Sequence, residues 1–366
     1  MQTESSPTAD RLSGIDVARA LALIGMLMVH FGPKGGTDIL GRLYALPHGR
    51  ASVLFVLVAG VGVALLSSRP EKHAYARLRL FCFSLFLLPL GLALEGLRHP
   101  VAIILHHYAV FFLLGIAAIR LTRRWLAVLA SAFTIVGPLV FFAGMMVAPT
   151  LFDRESAEIG DPMTSIVSAL LFTGPYPLIV WGAPLLWGLW IGRHDLRDRV
   201  LRFRLMGVGA SLTLWAYVLS ELLFRWVGEP GEPPDWRFLF AHSAHSEMPF
   251  WMIGGIGSAI FVLGAVLELS ERFPRFVAPL SALGQMALTV YVLQILVLTA
   301  AAPLVHHDAV EPAIVSVATF TLLATVYAVI WRQVIGRGPV ERLMHTLWLW
   351  AAGLRAEEPQ RAGLRP

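Results

Sequence analysis

Charge is what this sequence has least of. Of its 366 residues only 14% are Asp, Glu, Lys or Arg, against about 25% in an ordinary soluble domain. With 57% hydrophobic residues and a mean hydropathy of +0.68, the chain reads as an integral membrane protein: apolar spans joined by short loops. Cysteine is all but missing. Cys82 stands alone inside an apolar run, which excludes a disulfide framework and a cysteine-based metal site. There is no Gly-x-Ser-x-Gly, no phosphate loop, no His-Glu-x-x-His and no carboxylate pair at metal-ligand spacing, so no metal is expected. The N-terminus lacks the basic region of a cleavable signal and leads straight into the first apolar stretch. A pI near 9.7 comes from basic residues scattered one loop at a time, which records membrane topology rather than a nucleic-acid surface.

Hydropathy gives ten spans, at about 15–33, 47–68, 80–97, 101–119, 125–148, 164–192, 205–223, 249–268, 279–298 and 313–331. The sixth is too long for a simple crossing. Its Gly174-Pro175-Tyr176-Pro177 predicts a short leading helix, a break, and a crossing from about 177. With the N-terminus inside and alternating sides, 22 of the 29 Lys and Arg fall on the inner side and 7 on the outer. That asymmetry favours N-in, C-in and puts the acidic segment 153–161 outside. The expected fold is an all-α polytopic bundle of about ten transmembrane helices in the cell membrane. It comprises a cytoplasmic tail (1–14), one transmembrane domain (15–350) and a second cytoplasmic tail (351–366). Nine of the 12 histidines collect at the outer side, and only His73, His194 and His345 lie inside. Histidine is the side chain suited to proton transfer near neutral pH.

The first span carries Asp16, Arg19 and His30 in otherwise apolar sequence. An ionisable group at the centre of a membrane helix costs about 2.5–3.5 kcal/mol on insertion scales, which makes each a functional candidate. Arg19 and His30 are eleven residues apart, so they return to nearly one helix face about 16 Å apart. Arg19 then holds an anionic group reached from the cytoplasm and His30 acts as a general base at the far end. The plainer alternative is an Arg19 that snorkels or pairs with Asp16, with His30 marking the interface. His48 and Arg50 open the second span at a depth like that of His30. In the fourth, His106, His107 and Tyr108 are consecutive, and adjacent residues point to different faces, so one of the two histidines is expected to face the interior. His245 and Ser246 precede an eighth span whose Gly254, Gly255 and Gly257 read as packing residues. Gln285, Thr289, Tyr291 and Gln294 lie in the ninth, as substrate contacts or as polar bonds between helices. Glu95 and Glu221, near outer helix ends, are weaker candidates.

At these residues the chain resembles known families. Asp16-Val17-Ala18-Arg19-Ala20 followed by His30 is similar to the Asp-x-x-Arg-Ala and Arg-x10-His signature of integral membrane acyltransferases of family 3. The run from Arg11 to Arg19 resembles the opening of the heparan-alpha-glucosaminide N-acetyltransferase catalytic domain. His245-Ser246, the stretch from Gly284 to Tyr291, and Gly338-Pro339-Val340-Glu341-Arg342 resemble a family of bacterial membrane proteins of unassigned function. What the resemblance implies is a transmembrane acyltransferase fold. It implies transfer of an acyl group, expected to be acetyl, from cytoplasmic acyl-CoA to a hydroxyl or amine, often of a sugar, at the other membrane face. Acetyl-CoA or another acyl-CoA is then a donor substrate and no cofactor is tightly bound. The remaining partners are membrane lipid and a carbohydrate or small-molecule acceptor, without nucleic acid. Arg19 and His30 would be the catalytic pair with Asp16 beside them, and His48, Arg50, His107, Tyr108, His245, Ser246, Gln285 and Tyr291 substrate-binding. A transporter or exporter of a small solute, using the same intramembrane Arg and His, is the alternative.

Overall fold

The computed structural model describes residues 12–36, 38–152 and 156–353. Most of both predicted tails, Arg11, and residues 153–155 of the acidic segment lie outside the described residues. The helices in chain order are α1 (Ser13–Phe31), α2 (Ile39–Tyr44), α3 (Arg50–Leu66), α4 (His73–Glu95), α5 (Leu105–Ala118), α6 (Arg123–Val147) and α7 (Met163–Ser168). They continue with α8 (Leu178–Ile191), α9 (Arg199–Val227), α10 (Pro249–Arg272), α11 (Pro274–Gln285), α12 (Ala287–Val305), α13 (Val310–Val334) and α14 (Pro339–Ala351). No strand occurs among the described residues.

Seven helices are long and apolar enough to cross a bilayer: α1, α4, α6, α9, α10, α12 and α13. The α7–α8 pair, bent by 56°, adds an eighth if counted as one broken span. The break sits where the sequence predicts it. The leading helix ends in a π-turn over Ala169–Thr173, and Pro175 and Pro177, without N–H groups, cannot continue it. Helices α3 and α5 are apolar but shorter, at 17 and 14 residues.

Three features differ from the hydropathy reading. The fourth span starts late: residues 101–104 are not helical although Ile103 and Ile104 are buried. Their N–H groups are taken by side chains instead, Ile103 donating to the Glu95 carboxylate (2.8 Å) and Ile104 to the Tyr291 hydroxyl (3.2 Å). The ninth span straddles a break at Met286 between α11 and α12. There one oxygen of Glu341 accepts the N–H groups of Leu288 (2.8 Å) and Thr289 (3.0 Å), and the Thr289 hydroxyl donates to the other. A carboxylate on the first turn satisfies donors that have no intrahelical partner. Helix α14, where hydropathy gives no span, turns Trp348 inward against Tyr75 (ring centroids 5.1 Å) and under Arg79 (5.5 Å).

Burial separates centre from periphery. In its apolar window α1 is 72% buried and α9 only 17%; α9 packs on α10 and turns Leu214, Trp215 and Leu222 outward, toward lipid. Around α1 lie α3, α10 and α11. Small residues bring backbones close, as membrane interfaces favour. A Cβ at Gly60 would overlap the Leu185 carbonyl, and one at Gly188 the Leu57 carbonyl, so α3 and α8 meet backbone to backbone. A Cβ at Gly284 would overlap the Asp16 carbonyl, so α11 can lie on α1 only with glycine there. The Gly257 of α10 meets Gly209 and Thr213 of α9 in the same way.

Replacing Gly284 by Val should therefore separate α11 from α1. Overpacking of this kind costs about 1–3 kcal/mol, and the melting temperature of the detergent-solubilised protein should fall by several degrees. Gly207→Val, at a position with open space around it, should leave the melting temperature unchanged.

Candidate functional site

The loops after α3 and α8, together with α14, define a basic end of the bundle; His30, His48, His99 and His245 define a histidine end. From the basic end a cavity of about 530 Å³ runs inward. Arg19, Arg79, Arg332 and Arg337 line it, and Glu341, the single carboxylate in its wall, is already engaged at the start of α12. His345 also lines it. Burial, with Arg337 and Arg79 nearby, lowers its pKa to about 4, so at neutral pH the positive charge here belongs to the arginines. Deeper in, the walls are apolar, with Phe55, Leu87, Leu105 and Phe112. Three buried polar atoms of the residues lining it have no hydrogen-bond partner among the described residues: Arg79 Nε, the Tyr108 hydroxyl and Gln285 Oε1. The Gln285 amide nitrogen donates to Ser281 Oγ (3.1 Å).

Arg19 stands at the side of this cavity. Its guanidinium pairs with buried Asp16 at 2.9 Å while 30% of its side chain stays exposed, so it is held but reachable. A second cavity, of about 590 Å³, lies on its other side among Asp16, Gly62, His194, Asp195 and Arg197. Arg19 and Gly62 line both.

The histidine end holds a cluster of rings. His245 stacks on Trp181 (centroids 5.8 Å, planes 26° apart) and meets His48 (5.6 Å), Tyr176 (5.7 Å) and Trp251 (6.2 Å). Arg50 lies over Trp251 at 5.9 Å. Tyr176 in turn contacts His107 (5.5 Å), which lies 4.4 Å from His106. Both of these histidines are fully buried, which corrects the expectation that only one faces the interior: α5 starts inside the bundle, so its first turn is covered on all sides. Glu247, itself buried, accepts the Trp181 indole N–H (2.8 Å), and its other oxygen lies 3.8 Å from His245 Nδ1. Ser246 bonds locally, donating to the Ala241 carbonyl and accepting from the Met248 N–H, both at 3.4 Å.

Consecutive residues of α5 thus belong to the two ends: Tyr108 lines the basic-end cavity and His107 the ring cluster. His30, at the histidine end, belongs neither to the cavity lining nor to the ring cluster. It is buried, its carbonyl lies 2.9 Å from His306 Nδ1, and its own Nδ1 has no hydrogen-bond partner among the described residues. Lys34 lies near His30 and His48 alike. Arg19 and His30 are not brought into the 530 Å³ cavity together, since its lining includes only the first. Tyr291 is buried and spent on the Ile104 N–H. No group of three metal-ligating side chains occurs among the described residues.

Residues 197–351 match a family described as "Protein of unknown function (DUF418)". Over 404 aligned residues the chain is 26% identical to the uncharacterized protein YeiB of Escherichia coli strain K12, covering 93% of this chain and 96% of that one. The family match spans α9 to α14. It includes His245, Ser246, Gln285, Tyr291 and Glu341 and leaves Arg19 and His30 outside it.

Several residues of the site escape sequence reasoning. Tyr176, Trp181 and Trp251 are ordinary aromatics of apolar spans, and Arg79 and Arg337 ordinary loop charges, until the fold gathers them. Glu247 alone had a local signal, an acid two residues after a histidine in a short polar loop.

The lowered pKa of His345 carries a pH dependence. In the unfolded chain an imidazole titrates near 6.5, whereas in the folded protein His345 stays neutral down to about 4. As pH falls from 6.5 toward 4 the unfolded state binds the proton first, so stability is lost over that window. His345→Gln should make the decline of melting temperature between pH 7 and pH 4 shallower than in the wild type.

Proposed function

We propose that this chain is an integral membrane acyltransferase of ten crossings, N-in and C-in in the plasma membrane, with the basic end cytoplasmic. An acyl-CoA donor would place its phosphates against Arg79, Arg332 and Arg337, which suit bidentate contacts to phosphate. Its acyl arm would follow the apolar wall toward Tyr108, and Arg19 would orient it. The acceptor, a hydroxyl or amine of a carbohydrate or envelope molecule, would arrive at the histidine end, where a neutral imidazole takes its proton. His30 and His245 are the two imidazoles placed for that step. The observation that carries the proposal is the adjacency of Tyr108 and His107 on α5, which leaves less than one helical turn between a basic, apolar-walled cavity and a cluster of buried imidazoles.

Interrupted helices that meet inside the bundle also occur in secondary transporters. The breaks ahead of α5, α8 and α12 make solute transport the second reading.

The two separate by experiment. Protein in nanodiscs should bind acetyl-CoA by calorimetry, and Arg79→Ala with Arg337→Ala should weaken binding at least ten-fold, with a loss at high salt in the wild type. Of His30→Ala and His245→Ala, the variant that removes the base should keep binding and lose transfer. Solute flux in proteoliposomes without any acyl-CoA binding would replace the enzyme reading by the transporter. For topology, a cysteine at position 237 should react with an impermeant maleimide added outside intact cells, and one at 204 should not.

A further inference from the structure

We propose that Glu247 and His245 form a carboxylate–imidazole dyad at the histidine end, with His245 the proton acceptor toward a hydroxyl or amine and Glu247 its positioning residue. That the proton comes from an acyl acceptor rests on the acyltransferase reading above; the dyad itself rests on geometry.

Three observations converge on it. His245 and Glu247 both have left-handed backbones, at φ of 58° and 64°, a conformation uncommon outside glycine that gathers at functional sites. Glu247 is only 1% exposed, yet one of its oxygens has no hydrogen bond among the described residues; buried polar atoms are normally paired. That oxygen is the one 3.8 Å from His245 Nδ1. The Trp181 N–H fixes the other oxygen, and the Trp181 ring also fixes the plane of His245. A carboxylate beside Nδ1 favours the proton on that nitrogen and leaves the lone pair on Nε2, at the opposite ring edge. His245 is 26% exposed on its side chain, so a substrate can reach it. By contrast the charge partners of His30 are His99 and Lys34, not a carboxylate.

On the acyltransferase reading, Nε2 takes the acceptor proton as the acceptor oxygen or nitrogen attacks the thioester carbonyl. The C–S bond breaks, the thiolate leaves with its electron pair, and it recovers the proton from the imidazolium as a thiol. An acylated acceptor and a neutral His245 remain. The titratable and charged groups around His245 include Glu247 in its own loop, His48 before α3, Tyr176 before α8, and Arg50 across Trp251.

The test is nitrogen-15 histidine NMR on the full chain in nanodiscs, with His245 assigned by its loss in His245→Gln. The wild-type resonance should report the Nδ1–H tautomer; an Nε2–H tautomer overturns the dyad, and this readout needs no folded variant at position 247. A neighbouring carboxylate favours the charged imidazole. Glu247→Gln should therefore shift the His245 midpoint downward, and Glu247→Asp should restore most of it. An unmoved midpoint in Glu247→Gln, with acetyl-CoA consumption by the wild type intact, overturns the dyad and leaves the acyltransferase reading standing. A shifted midpoint in a protein that neither binds nor consumes acetyl-CoA overturns that reading and leaves the dyad as a proton acceptor for another substrate.

Discussion

A backbone N–H group inside hydrocarbon must find a partner within the protein, because no water is there to take it and leaving it bare costs several kcal/mol. Most of this chain answers with uninterrupted helix. Where helices begin inside the bundle instead, side chains from distant parts of the chain do the work. Glu95 at the end of α4 receives Ile103, and Tyr291 in α12 receives Ile104 across 187 residues of sequence. Glu341 in α14 receives Leu288 and Thr289. At the third break the chain lowers the demand, since Pro175 and Pro177 have no N–H to satisfy. The polar residues of the interior are therefore of two kinds, those that hold the breaks and those that the breaks bring together.

The break ahead of α5 shows how the two are linked. Had the helix begun at residue 101, His106 and His107 would lie a turn or more inside a continuous helix. With residues 101–104 tied down by Glu95 and Tyr291, the first turn of α5 is set beside Gly91 of α4, whose missing side chain leaves room for His106. His107 then reaches Tyr176 at the α7–α8 break while Tyr108 turns to the basic-end cavity. Two interrupted helices thus bring one imidazole cluster within reach of one arginine-lined space.

This explains what was legible in the sequence. Each apolar stretch found by hydropathy falls on helix, because in a bilayer a long apolar run has few alternatives to helix. The break at 174–177 was visible because proline acts locally. The breaks at 101–104 and 286 were not, since Ile103, Ile104 and Met286 look like any other apolar residues and their partners are remote in sequence. The amphipathic α14 was hidden because its apolar residues cover one face rather than a continuous run. Periodicity put Arg19 and His30 on one face of α1, but a face of a central helix meets several neighbours along its length, and only packing decides which space each residue joins. For that reason His245 was foreseen and its partner Glu247 was not: the contact depends on two left-handed residues that no pattern announces.

Arginine alone would not have separated structure from function here, and the count of acceptors around each one does. Arg202 is nearly fully buried and is held by Glu268, Glu271 and the Leu196 carbonyl, which pins α9 to α10 at the basic end. Arg193 gives its donors to the carbonyls of Ala118, Ile119 and Leu121, closing the C-terminus of α5, where a cation is favoured. Both are structural by the same criterion: little of the guanidinium is left to bind anything else. Arg19 has five N–H donors and, among the described residues, one hydrogen bond, at 2.9 Å to Asp16, with a cavity on either side of it. A guanidinium so placed, anchored by one carboxylate and bordering two cavities, keeps N–H donors toward open space, which is the geometry the proposed donor-orienting role needs. That exposure to the cavities, more than its position in an apolar helix, distinguishes Arg19 from Arg193 and Arg202.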